Sequence, residues 1–566
     1  MSVTVFPTFA DIFPGHSVPT LDDVLSRTSS LTLLRVAAFL NFKLRYTHGD
    51  IVEQEKVFFS WIGIFDMNIR INILKNYQNF KQRNEKDGIR VTLFNSIALL
   101  KLMERVVWLP NELPVPSTTT PEQEMVFMEA WLICSSTFGA DFGGDKEPTL
   151  YNLFREVVVF QAKQYEYVER KNLFSQILYS KALFEYLSED EKCKNFLDEF
   201  LCKKQLTSYE QYLRALVEIN IMNGGETFSF NLNDENKFLE SLFDSMALPL
   251  GDKSFINRRT YSLADPDFKI FRTYPLAKNG INEYFILHYN FFIDKLYKGL
   301  IFDFYKGSSI STEYSDLPSF LQKLGSAFAE KKIFYSNVVG CFRSKSFVLK
   351  VPGDKFKDIE YSDFYVREGN CVFLFEFKNV LVSANVKQSG SFETINKEVI
   401  KKLVINDLGK PKGVSQLINV INKLIDKPFY FDDYIIRKIR KLSIYPVLVV
   451  TDEFFSIYGI EKIVNDEFQQ RSEFDKGHGH KISPVTLLHI DDLIRLQLSP
   501  TSNKTQFKTV LDTFHERRKS LLKKKNSTIQ DVFRRHQSFD DTMSDVIGDG
   551  FDMMLDRLTS ALKLDE

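Results

Sequence analysis

The residues with the clearest chemical content are Asp363 and the triplet Glu376-Phe377-Lys378. The triplet ends an apolar run, Val372 to Phe375, which predicts a central strand. Charged groups beside a buried strand are costly unless something compensates them. Taking Arg367 to Asn370 as a hairpin loop, Val366 pairs with Cys371 and Asp363 with Leu374. Side chains alternate along a strand, so Leu374, Glu376 and Lys378 share a face. Asp363 falls on that face, diagonally beside Glu376. A slip of one residue would separate the groups, so the grouping depends on the turn.

Two carboxylates about 4 Å apart repel by roughly 4 kcal/mol at an effective dielectric near 20. A hard cation, Mg2+ or Mn2+, offsets that repulsion and still keeps waters and a phosphate oxygen in its shell. Such an ion polarises a phosphodiester and lowers the pKa of an attacking water. Lys378 is suited to positioning that water and stabilising developing negative charge. The expected reaction is hydrolysis of a phosphodiester. Glu-x-Lys by itself is common and recurs at Glu235–Lys237 and Glu330–Lys332. The plainer alternative is an ordinary Asp beside an ion-paired Glu and Lys on a half-exposed strand.

Three strands are predicted around these residues, in SFVLKVPG, YSDFYV and CVFLFEFKNVLV, punctuated by Gly353, Gly369 and Asn370. A helix carrying Glu330 precedes them, and a helix carrying Gln416 follows in SQLINVINKLI. Further strands are expected in IYPVLVVTD and PVTLLHI, with IDDLIRL turning into a helix. This order describes a compact α/β domain.

These residues resemble the PD-(D/E)XK nuclease superfamily over about 200 residues, from near 300 to 500. The resemblance implies an α/β (α+β) restriction-endonuclease-like core, a mixed central sheet flanked by helices. It implies Asp363 and Glu376 as metal ligands and Lys378 as the catalytic lysine. Glu330 would complete the metal shell, and Gln416 would contact substrate or the metal's water. The implied activity is a Mg2+-dependent endonuclease acting on DNA, with restriction or anti-phage defence as a role by analogy alone. Two features depart from the family pattern. Ser362, not Pro, precedes Asp363, and the stretch from Ser383 to Pro411 is long. The alternatives are an RNA nuclease and a non-catalytic nucleic-acid-binding or interaction protein on a degenerate nuclease fold.

The remaining sequence bounds the setting. The chain has 566 residues, 44% hydrophobic and 26% charged, with a net charge of -1. That length exceeds one ordinary core. Near-neutral charge leaves nucleic-acid binding to a local basic surface. Domain boundaries are expected as a mainly helical 1–225, suited to sensing or to binding a protein partner; a mixed connecting segment, 226–300, whose part from about 268 is read as the entry to the second domain; a nuclease-like 301–500; and a helical tail, 501–566. In the tail, HERRKSLLKKKN and VFRRH are basic and FDDTMSDVIGDGFDMMLDRL is acidic. The basic part is read as a solvated helix with compensating charge, or as a phosphate contact. Cys134, Cys193, Cys202, Cys341 and Cys371 lack zinc spacing and suggest reduced thiols. Gly477-His478-Gly479-His480 is read as a loop rather than a metal site. No leader peptide or membrane span is recognisable, and a soluble cytoplasmic protein is expected. No Walker loop, Rossmann glycine fingerprint or GxSxG elbow is present. Oligomeric state is not legible.

Overall fold

A computed structural model describes residues 4–45, 47, 50–86, 90–113, 118–139, 150–168, 171–222, 228–250, 266–342, 347–356, 361–438, 441–474, 479–498, 507–523 and 534–547. The chain forms two compact units. The first comprises 1–148 and 166–313, and the second 149–165 and 314–566.

The first unit is mainly helical through Met222, as its three-and-four spacing of apolar residues predicts. Thr20 caps the helix Leu21–Leu25, its side chain accepting from the Asp23 amide. Strands Ser229–Asn231, Leu276–Lys278 and Glu283–Ile286 form an antiparallel sheet with Glu283–Ile286 in the middle. The stretch from about 268, read as the entry to the second domain, therefore belongs to this unit. Phe285 and Leu287 join the helical core, which is why these strands stay with the helices before them.

In the second unit the elements run in the following order, numbered within it. Helix α1 is Leu317–Leu324, followed by a π-helical stretch, Gly325–Phe334, and α2, Tyr335–Cys341. Strands β1 (Val348–Pro352), β2 (Phe364–Glu368) and β3 (Cys371–Lys378) come next. Helices α3 (Phe392–Leu403) and α4 (Gly413–Asp426) follow. Strand β4 (Ser443–Val450), α5 (Ile460–Arg471), β5 (Lys481–Ile482), β6 (Thr486–His489), α6 (Ile490–Leu498), α7 (Phe507–Leu522) and α8 (Phe539–Ile547) come after them. Helix α3 occupies much of the long Ser383–Pro411 stretch.

These strands build one mixed six-stranded sheet flanked by helices. β1, β2 and β3 are antiparallel neighbours, and β3 pairs in parallel with β4. β5 and β6 both pair in parallel with β4, at its beginning and its end. Pro446 lies between them. The Leu442 and Ile444 carbonyls accept from Lys481 and Ser483 on that edge. By alternation, Pro446 directs its missing N–H into the break between β5 and β6, where no ladder bond is lost.

Each face of β3 is covered. Val372 and Leu374 join Leu417, Ile421, Val399 and Val464 from α4, α3 and α5. On the other face Phe373 and Phe375 meet the rings of Phe342 and Phe507. This double cover explains the unbroken apolar run, since each such buried side chain contributes about 1.5–3 kcal/mol. Residues 149–165 belong here because Phe154 and Val158 fill the space beside Gly459, where a Cβ would lie 2.7 Å from either. Among the described residues no helix is long and apolar enough to cross a membrane.

Candidate active site

The hairpin between β2 and β3 brings the acidic residues together. Glu368 pairs with Cys371 and Phe364 with Phe375, leaving Gly369 and Asn370 as a two-residue turn. Gly369 has φ +61, the conformation such a tight turn requires at its first position. The register thus differs by two residues from the expected Val366–Cys371 pairing. An even shift preserves which face each side chain takes, so the expected face survives. Continued by one step, the register sets Asp363 directly opposite Glu376, not diagonal to it.

Backbone contacts pin Asp363 in place. Its Oδ2 accepts from the Phe377 amide at 2.7 Å. Its carbonyl accepts from the Gly353 amide at 2.8 Å. A Cβ on Gly353 would lie 2.9 Å from Asp363 Cα, Asp363 O and Ser362 O. Only glycine permits that approach. Sequence reading marked Gly353 as a turn and missed this positioning role. Ser362 is buried, and its hydroxyl donates to the Phe364 carbonyl at 2.8 Å.

Lys378 Nζ donates to Glu376 Oε2 at 2.9 Å and stands 3.7 Å from Asp363 Oδ2. Glu376 is 2% exposed. Burial, then the neighbouring Asp363 carboxylate, pushes its carboxyl up to about 8. Burial alone would pull the Lys378 ammonium down, but Glu376 and Asp363 outweigh it and hold it above its ordinary value. For Glu376 burial leads, and the sharing of one ammonium by two carboxylates adds to it.

Glu330 sits on the π-helical stretch, half-buried, with the Tyr335 hydroxyl donating to its Oε1 at 2.9 Å. Phe334 stacks on Phe377 with centroids 4.8 Å apart and fixes this stretch against the end of β3. Burial, and then Asp363, raises the Glu330 carboxyl. Glu330 therefore lies within the field of Asp363. Among the described residues, however, no three His, Cys, Asp or Glu side chains gather as a metal cage. Widened π turns are frequent at functional sites.

Gln416 lies in the first turns of α4. Gly413 seats that helix tightly, since a Cβ there would lie 2.7 Å from the Leu403 carbonyl and 2.9 Å from Leu448 Cδ1. Leu448 is the β4 partner of Glu376. Gln416 Oε1 is enclosed and has no hydrogen-bond partner among the described residues. An orphaned buried oxygen is costly and asks for a donor or a cation.

The second unit also holds a structural pair that sequence reading did not single out. Arg367 Nε lies 3.1 Å from both oxygens of Asp432, and the Tyr365 hydroxyl donates to Asp432 at 2.8 Å. Asp432 is far off in sequence, and no local pattern announces it.

The weaker candidates resolve plainly. His480 Nδ1 accepts from the Leu442 amide at 3.1 Å, while Gly477 and His478 lie outside the described residues. In the tail, Arg517 pairs with Asp545 at 2.6 Å, so there the basic and acidic segments do offset one another. Residues 524–533 and 548–566 lie outside the described residues. The five cysteines form no disulfide among the described residues, and Cys371 is buried in β3. Comparison with protein-family models, curated proteins and solved structures returned no match.

Proposed function

We propose that the second unit is a metal-dependent phosphodiester hydrolase with a PD-(D/E)XK-like site on a restriction-endonuclease-like core, and that DNA is its substrate. The observation that carries this reading is that Asp363, one residue before β2, and Glu376 of β3 meet the same ammonium, Lys378 Nζ standing 3.7 Å from the first and 2.9 Å from the second. The residues suit a divalent cation. With both carboxyls ionised, the pair carries one more negative charge than Lys378 balances, and Gln416 offers an oxygen with no partner among the described residues. Asp363 and Glu376 would hold Mg2+ or Mn2+, which when bound supplies Lewis-acid activation of phosphate and water. Glu330 would face that shell from the π-helical stretch.

The chain's own groups perform the rest. The Phe377 amide and Gly353 fix Asp363, so the carboxylate needs no reorganisation on binding. Lys378 supplies a charged donor for the attacking water and for the charge that develops on the phosphate oxygens. Burial of Glu376 at the end of β3 lowers the local dielectric around it, which strengthens its interaction with Lys378. A role in restriction or anti-phage defence, with the first unit engaging a protein partner, is the setting we favour by analogy.

Incubation of the full chain with supercoiled DNA, linear DNA and RNA, with and without Mg2+ or Mn2+, tests the proposal. Cutting of DNA that requires the metal is expected. Folded protein that cuts no nucleic acid under any of these conditions would count against it.

A further inference from the structure

Between α3 and α4 the chain makes a short, tightly braced loop. Ile405 and Pro411 face each other in an antiparallel bridge. Asn406 Oδ1 accepts from the Leu408 and Lys410 amides at 3.0 and 2.8 Å. The Asn406 amide donates to the Lys410 carbonyl, the Gly409 amide to the Asn406 carbonyl, and the Lys412 amide to the Val404 carbonyl. Gly409, at φ +73, completes the reversal. The backbone is thus pinned, yet at its tip Leu408 is 80% exposed.

A single exposed leucine is ordinary on a protein surface. This one differs in its support and its neighbours. From Lys397 to Lys412 there are five lysines against two acids, in a chain whose net charge is -1. Lys401 is held by Asp407 at 2.5 Å and Lys402 lies near Glu398, whereas Lys397, Lys410 and Lys412 carry no ion pair among the described residues. The loop runs straight into Gly413, which packs on Leu448 beside Glu376. An apolar tip, free ammonium groups on either side and a root one strand from the carboxylates therefore occur together.

We propose that this loop docks duplex DNA, with Lys410 and Lys412 on phosphates and Leu408 inserted as a wedge at a base step in the minor groove. The inference rests on the hydrolase reading above and names how that site receives its substrate. Lysines on phosphates supply affinity and position. An apolar side chain between base steps unstacks them and bends the duplex. B-form DNA suits such a wedge better than an A-form RNA helix, which is met chiefly through shape and 2′-hydroxyls.

The test uses the full chain without divalent metal and a fluorescein-labelled DNA duplex carrying 2-aminopurine, read by anisotropy and by 2-aminopurine emission. Wild type is expected to bind and to brighten the 2-aminopurine. Lys410→Gln with Lys412→Gln should lower the slope of log affinity against log salt by about 1.8, removing about tenfold of salt sensitivity between 50 and 200 mM. Leu408→Ala should keep that slope and lose the emission rise. Leu408 and Lys410 are exposed and Lys412 is half-buried, and matching thermal melts would show that the variants fold. Unchanged binding and emission in both variants would overturn the proposal, as would equal loop dependence with tighter binding to duplex RNA. Metal-dependent cutting that persists while the loop variants behave as wild type would defeat the wedge and spare the hydrolase. Loop-dependent binding without cutting would do the reverse.

Discussion

Replacing Gly353 by alanine is expected to damage the site through backbone geometry alone. The added Cβ would lie 2.9 Å from three backbone atoms, Asp363 Cα, Asp363 O and Ser362 O. Carbon contacts settle near 3.5–4.0 Å, so about 0.6 Å or more must be recovered. None of the three atoms can rotate away, because each is main chain. Overpacking of this kind costs about 1–3 kcal/mol. The displaced segment carries Asp363, and a misplacement of about 1 Å can cost around a hundredfold in rate. A shift of half that size predicts a loss of roughly tenfold. Urea unfolding gives the stability change, and cutting of supercoiled DNA at temperatures where the variant is folded gives the rate. Gly369→Ala is the control. It strains a residue at φ +61 with open space around it, so it should lose stability and keep turnover. Wild-type stability and turnover in Gly353→Ala would refute the steric reasoning, as would an equal loss of turnover in Gly369→Ala.

Three further outcomes are expected. Asp432→Ala leaves the buried Arg367 guanidinium without its carboxylate and should cost about 3–5 kcal/mol in urea unfolding; a change below about 1 kcal/mol would contradict the role assigned to that pair. Gln416→Met removes an enclosed amide oxygen with no partner, so metal-free stability should rise by about 1 kcal/mol while turnover falls; reduced stability with full turnover would oppose this. Glu376 has its folded pKa raised to about 8, above the unfolded carboxyl. The folded chain then holds an extra proton between the unfolded value and about 8, so the Glu376 contribution to metal-free stability is present at acid pH and is lost as pH rises through about 8. Urea midpoints at pH 5.5 and 8 should show that decline in wild type and a flatter profile in Glu376→Gln, and parallel profiles would exclude Glu376 as its source.

Much of the site was legible because its information is local. The apolar run before Glu376 identified a doubly covered strand, and the period of two placed Asp363 on the same face. The exact register was not legible, since it hung on whether Arg367 and Glu368 belong to the turn or the ladder. Gly369 at φ +61 decides for the ladder, and the even shift spared the face. Features set by distant packing escaped altogether. Nothing near Arg367 announces Asp432, and nothing near Gly353 reports how closely Ser362 and Asp363 approach. The strands at 276–278 and 283–286 were placed with the wrong unit because proximity in sequence stood in for contact. The π-helical stretch around Glu330 carries the same residue types as an ordinary helix, and its widening comes with the Phe334–Phe377 stack. Strand β5 is too short, at two residues, to leave a periodic signature.

The most direct measurement is cleavage of supercoiled DNA by purified wild type, Asp363→Ala and Lys378→Ala, each with Mg2+, with Mn2+ and with chelator. Cutting by wild type only when metal is present, and loss of cutting in both folded variants, is the predicted result. Cutting that survives both substitutions would contradict the assignment of Asp363, Glu376 and Lys378 as the hydrolytic site.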